Sequence, residues 1–199
     1  MKKLLVALVA LFPLAAFAQS QPSKLSVGTL ELAGDTNLSF LSADTTFKAN
    51  GGSVSGTETT WNLRGLGLFY VTPNVGVGGT LSYVSDDTSV TGFKLKTDTF
   101  AIGPVVGLEF PVAPQIDLFG RASLVYASRT FDTGTEFKSS GFGFGLEAGA
   151  KYFIVKSVSL DGALVFQYLS LTSDSTPGFD ITSTGFGVNL GVSIYFDTK

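Results

Sequence analysis

Hydrophobic and polar positions alternate most regularly near the end of the chain. From Gly185 onward, Phe186, Val188, Leu190, Val192, Ile194 and Phe196 fall on one side of an extended backbone, and Gly187, Asn189, Gly191, Ser193 and Tyr195 fall on the other. Period-two alternation is the geometry of a β-strand, whose successive side chains point to opposite faces. The apolar face begins and ends on an aromatic ring ten residues apart. That interval is about 33 Å of strand, and a tilt of roughly 40° projects it onto about 25 Å, the apolar thickness of an outer membrane. The pattern predicts a strand that crosses a bilayer.

The same interval recurs twice more. Phe100, Ile102, Pro104, Val106, Leu108 and Phe110 form one further ruler, and Phe142, Phe144, Leu146, Ala148, Ala150 and Tyr152 form another. A soluble sandwich also alternates, but nothing in its packing fixes aromatic ends at one separation on several strands. Eight strand-length segments are predicted, near residues 26–41, 58–72, 75–86, 94–110, 115–130, 139–155, 157–172 and 181–196. The connections alternate in length. Thr72-Pro73-Asn74, Pro111 to Pro114 and Val155-Lys156-Ser157 are short turns, whereas Ser42–Thr57, Asp86–Gly92, Phe131–Lys138 and Ser173–Asp180 read as longer polar loops. An even strand count with alternating short and long connections predicts an all-β fold: an eight-stranded antiparallel up-and-down transmembrane β-barrel with both termini at the short-turn end.

Residues 1–18 read as a cleavable signal peptide: Lys2 and Lys3, an apolar run from Leu4 to Phe12, and the small-residue site Ala16-Phe17-Ala18. Its apolar part is too short for a spanning helix. Residues 19–199 are then one barrel domain. Loss of Lys2 and Lys3 leaves 11 of the 13 basic residues against 16 acidic ones, a net charge of −5 that argues against nucleic acid as a partner.

These features resemble the outer membrane protein beta-barrel domain family, the small OmpA-like and OmpX-like eight-stranded barrels of the porin family. The likeness rests on Leu68-Phe69-Tyr70-Val71-Thr72-Pro73-Asn74-Val75-Gly76-Val77-Gly78 across the first short turn. Ile102-Gly103-Pro104, Leu118-Phe119-Gly120 and the terminal aromatic Phe196 add to it. The chain departs from the family pattern at Gly65 and Gly67, which leave the outward face of the second strand bare, and at Asp197-Thr198-Lys199, which trail the last aromatic. The resemblance implies a monomer in the bacterial outer membrane. Its partners would be outer-membrane lipid and, during biogenesis, periplasmic chaperones and the barrel-assembly machinery.

Candidate chemistry lies on the face opposite the apolar one. Parity places Glu31, Asp35, Arg64, Glu109, Arg121, Glu147, Lys151, Asp161 and Gln167 inside. An eight-stranded barrel is just wide enough for its own side chains to fill, and charges removed from water are tolerated when paired. The expectation is a structural salt-bridge network of Glu31, Arg64, Glu109, Arg121, Glu147, Lys151 and Asp161, with Arg121 paired to Glu147 and Lys151 to Asp161. The alternatives are a narrow ion or small-solute pore along the same column, and a soluble lipocalin-like barrel carrying its apolar face inside.

Other constellations point to no chemistry. Gly143-Phe144-Gly145-Leu146-Glu147-Ala148 matches a loose phosphate-loop pattern but lies within a strand. Asp86-Asp87 and Asp132 with Glu136 lack the ligand spacing of a calcium loop, and Asn37-Leu38-Ser39 is a glycosylation sequon by letters only. The chain has no His and no Cys, so His-based acid–base catalysis, thiol nucleophiles and Cys/His zinc sites are absent from it. No enzyme activity, no cofactor and no metal are expected.

Overall fold

The computed structural model describes residues 25–37, 42–49, 52–58, 62–90, 93–132, 136–173 and 180–198. Residues 1–18, read from the sequence as a signal peptide, lie outside the described residues, as do Leu38 and Ser39 of the sequon. Ten strands are present: β1 (Thr29–Asn37), β2 (Ser42–Ala49), β3 (Gly52–Glu58), β4 (Asn62–Thr72), β5 (Val75–Val90), β6 (Phe93–Ala113), β7 (Ile116–Asp132), β8 (Glu136–Val155), β9 (Val158–Ser173) and β10 (Asp180–Asp197).

Eight of them form the ring. β4 to β10 pair in sequence order, β1 lies beside β4, and β1 closes the ring against β10 with Leu32 opposite Ile194 and Gly34 opposite Val192. Every pairing is antiparallel. β2 and β3 form a hairpin that continues the wall outward, with Ile181 to Phe186 of β10 paired to β2.

This hairpin corrects the reading of Ser42–Thr57 as a loop. Two further loops are shorter than the sequence suggests: β5 runs on to Val90 before β6 begins at Phe93, and β7 reaches Asp132 before β8 begins at Glu136. The three short turns stand where the sequence places them, and each is tied to the next strand in the wall. Asn74 O accepts from Glu109 N at 2.9 Å, Gln115 O from Phe153 N at 2.8 Å, and Ser157 O from Tyr195 N at 2.9 Å. These bonds carry the ladder to the last residue and leave little unsatisfied backbone at the rim.

The three aromatic rulers all face outward. Leu190 is 48% exposed, Val106 49% and Leu164 69%, values a water-soluble core face would never show but a lipid-facing wall requires. The lipocalin-like alternative is thereby overturned, because the apolar face is on the outside. Rings cluster where the wall meets the outer interface: Tyr126 packs edge-on against Phe142, Phe144 stacks on Tyr168 at 5.4 Å, and Phe166 meets Phe186 at 4.8 Å. Around β4 the outward face is bare instead, since Gly65 and Gly67 stand beside Gly34 and Gly79 in register. Strand-two parity is nonetheless clear, with Leu63, Phe69 and Val71 outward and Leu66, Leu68 and Tyr70 buried.

A closed ring has no edge from which to unzip. The folded protein should therefore migrate differently on a denaturing gel before and after boiling, and a single unchanging band would argue against closure. Depth should also matter on the lipid face: Leu190→Arg, mid-wall, is expected to cost about 2–4 kcal/mol and Phe196→Arg, at the rim, about 0–1. Equilibrium unfolding in lipid vesicles measures both, and equal costs would refute the depth assignment.

Candidate functional site

Leu25, Leu68, Tyr70, Phe153 and Tyr195 belong to an apolar cluster that caps the short-turn end, and Leu66 and Val105 carry the same cluster inward among the charges, where they line one cavity with Arg64, Arg121 and Glu147. At the other end Ala127, Leu171 and Ile181 pack with Ala101, Phe131 and Leu169. The charged network is interleaved with the first cluster, and the Tyr70 and Tyr195 hydroxyls reach into it.

Glu31 of β1 is its hub, with no exposed surface. Arg121 Nη2 donates to Glu31 Oε1 at 2.7 Å and Lys151 Nζ donates to the same oxygen at 2.9 Å, while the Tyr70 hydroxyl reaches Oε2 at 2.7 Å. Ser193 Oγ lies 2.9 Å from Glu31 Oε1 and 2.5 Å from Asp161 Oδ2, and Ser159 donates to the other Asp161 oxygen at 2.6 Å. Lys151 is saturated, since Nζ also donates to Glu109 Oε2 at 2.5 Å and to the Tyr195 hydroxyl at 2.7 Å. One step farther along the barrel, Arg64 of β4 spans the lumen, holding Asp35 through Nε and Nη2 and donating from Nη2 to both oxygens of Glu147 at 2.9 Å. Asn189 adds a bond to Glu147 Oε1 at 3.1 Å. The Phe119 ring lies beneath both Arg121, at 4.4 Å, and Lys151, at 5.3 Å, where its π-face meets positive charge.

The structure thus brings Glu31, Arg64, Glu109, Arg121, Glu147, Lys151 and Asp161 together, with Asp35. One expected pairing is present and one differs. Arg121 stands opposite Glu147 in register and pairs with it at 3.5 Å, while a shorter bond of 2.7 Å runs to Glu31. Lys151 stands opposite Asp161, yet its ammonium turns to Glu31 and Glu109. The physical reason is the narrow lumen: a long side chain reaches the opposite wall as easily as its neighbour, and a carboxylate there that still needs donors competes for it. Sequence reasoning gave no network role to Tyr70, Tyr195, Ser159, Ser193, Asn189 or Asp117. The signal for the two tyrosines was their inward parity, since a buried tyrosine needs a partner for its hydroxyl.

Gln167 lines a small cavity of about 20 Å³ with Arg64, Val105, Arg121 and Glu147. Such a space holds roughly one water molecule. Among the described residues no group of three or more acids, His or Cys is placed to hold a metal ion. Outside the membrane band, the hydroxyls of Ser85 and Tyr83 donate to Asp98 and hold its carboxyl below the usual carboxylate range.

An outer-membrane β-barrel is what the comparisons with known proteins also find. The outer membrane protein beta-barrel domain family matches residues 4–193. The chain belongs to that family. It is a bacterial outer-membrane protein, as the family and its lipid-facing wall require. No curated protein sequence matches it. Among solved structures it is similar to the outer membrane protein OprG from Pseudomonas aeruginosa, at 11% identity over 89% of this chain and 100% of that one, with a TM-score of 0.62. Neisserial surface protein A (NspA) gives 15% identity over 85% and 99%, with a TM-score of 0.57. The N-terminal barrel domain of Pseudomonas aeruginosa OprF gives 16% over 85% and 98%, with a TM-score of 0.53. At these identities the likeness is one of fold.

Within this family barrel, Glu31 should be the most sensitive inner residue. Glu31→Ala leaves Arg121 and Lys151 short of an anion and is expected to cost about 3–5 kcal/mol. Arg121→Ala should be of similar size, and the double variant should fall short of the sum by about 0.5–3 kcal/mol. Lys96→Ala, at an exposed ion pair with Asp98, should stay within about 0.5 kcal/mol. Urea unfolding of the four proteins in vesicles reads all of these, and strict additivity would dissolve the pairing.

Proposed function

We propose that this protein is a non-enzymatic, monomeric anchor: a filled barrel that holds polar hairpins above the outer membrane, where they serve adhesion, interaction or envelope integrity. One observation carries the reading. Among the described residues, side chains crowd the lumen: an apolar cluster interleaved with a hydrogen-bonded charge network, and a second apolar cluster toward the outer end. A gap beside the network, lined by Arg64, Arg121, Glu147 and Gln167, has room for about one water, which supports a filled lumen over a conducting one. Lack of His and Cys in the sequence supports the non-enzymatic part.

Strands that outrun the membrane supply the presenting surface. β5 and β6 remain paired from Asp86 with Thr97 out to Val90 with Phe93, well beyond the Tyr83–Phe100 pair at the aromatic rim, and the β2–β3 hairpin continues from β10. Outer-membrane lipid is the partner of the wall. Periplasmic chaperones and the assembly machinery are its partners during biogenesis.

The test separates anchor from pore. Reconstituted in a planar bilayer, the protein should show no steady ion-conducting state, and replacing residues 87–95 by a two-residue turn should leave the heat-dependent gel shift intact. Steady channels whose conductance changes with Arg121→Ala, in protein of unaltered stability, would overturn the anchor in favour of the pore.

A further inference from the structure

Around the charged network the inner face carries six buried or nearly buried carboxyls, Glu31, Asp35, Glu109, Asp117, Glu147 and Asp161, against three cations, Arg64, Arg121 and Lys151; a fourth inward cation, Arg129, lies farther out beside Thr99. Fully ionised, these described residues would leave three negative charges unmatched within a space from which water is largely excluded. Buried charge of that kind is relieved by protons or by counter-ions. The hydrogen-bond geometry says where one proton sits.

The Tyr70 hydroxyl lies 2.7 Å from Glu31 Oε2 and 2.8 Å from Glu109 Oε2. A phenol has one hydrogen, so it donates to one carboxyl only. The second contact is a hydrogen bond only if that carboxyl brings its own hydrogen and Tyr70 accepts it. Glu31 is the ionised partner, because Arg121, Lys151 and Ser193 all approach its Oε1 within 2.9 Å. Glu109 differs: Lys151 is its one cation, and its Oε1 is buried without a hydrogen-bond partner. An ionised carboxylate spreads its charge over both oxygens and needs donors at both, whereas a neutral acid does not.

We propose that the plug stores a proton on Glu109, passed through the Tyr70 hydroxyl toward Glu31, and that this proton locks the short-turn half of the barrel interior. The chain runs from Glu109 Oε2–H to the Tyr70 oxygen and from the Tyr70 O–H to Glu31 Oε2. It joins β6, β4 and β1, three strands that do not all neighbour one another. The groups facing Glu109 are Glu31 from β1, Tyr70 from β4, Asp117 and Arg121 from β7, Lys151 from β8 and Tyr195 from β10. β5 offers no titratable side chain opposite Glu109, only Val75 and Gly76 at that level. Loss of the proton to hydroxide in alkaline solution would leave Glu109 and Glu31 both ionised across one phenol, and that half of the plug would loosen.

The folded barrel then binds one more proton than the unfolded chain near neutrality, so its stability falls as pH rises, by up to about tenfold in the unfolding constant per pH unit. Infrared spectroscopy of the wild-type protein in vesicles at pH 7 should show the carbonyl band of a protonated carboxylic acid. Glu109→Gln should remove that band and flatten the alkaline slope: its amide N–H can donate to Tyr70 in place of the acid proton, and Lys151, which loses Oε2 as an acceptor, keeps Glu31 and the Tyr195 hydroxyl. Tyr70→Phe should shift the band without abolishing it. A wild-type spectrum without a protonated-acid band at pH 7 overturns the proposal even if no variant folds, as does a band and slope that persist unchanged in Glu109→Gln.

Discussion

Closure of β1 onto β10 is the constraint on which the rest of this molecule depends. The join uses the residues nearest the two ends of the described chain, Thr29 opposite Asp197 through to Thr36 opposite Leu190. In lipid every backbone N–H and C=O must be satisfied by the protein itself, so a sheet with a free edge cannot span the bilayer. Once the ring is closed, its diameter is set by strand number, and eight strands leave a lumen that side chains fill. The charge network and the two apolar clusters follow from that diameter.

Closure also explains which parts of the fold could be read from the sequence. Outward faces meet a single solvent, the hydrocarbon, over one fixed thickness. Phe186 to Phe196, Phe100 to Phe110 and Phe142 to Tyr152 therefore carry both the period and the length of the membrane in plain view, and the structure turns all three outward. The short turns were equally legible because Pro73, Asn74, Pro114 and Lys156 break or bend a strand by local chemistry. Beyond the aromatic rim that information stops. Ser42–Ala49 and Gly52–Glu58 carry no apolar alternation in their sequence and read as a polar loop although they are paired strands. The outer end of β5, read as stopping at Asp86, was shortened by the same error.

Inner-face membership was legible for the same reason as the outer face, by elimination at period two. Pairing was not. Register sets Lys151 beside Asp161, and flat-sheet reasoning joins them; curvature carries the Lys151 ammonium across the lumen to Glu31 and Glu109 instead. Arg64 similarly joins Asp35 on its neighbour to Glu147 on a strand four places farther round the ring. Such contacts depend on which side chains are long enough to meet near the axis, a property of the closed shape rather than of any local segment.

Glycine placement shows how the wall accommodates these crossings. A methyl group built on Gly107 would come within 2.9 Å of Leu68 Cδ1, and one on Gly191 would come within 2.8 Å of the Cβ of Asp35. Both positions face inward, and both lie where a larger neighbour needs the room: Leu68 in the cap, Asp35 where it meets Arg64. In a lumen this narrow, every long side chain that reaches the far wall requires a small one where it passes. The glycines of the inner face are thus the complement of the charged residues, and the alternation of bare and bulky positions along the wall lets three cations and their carboxyls share one dry layer without separating the strands.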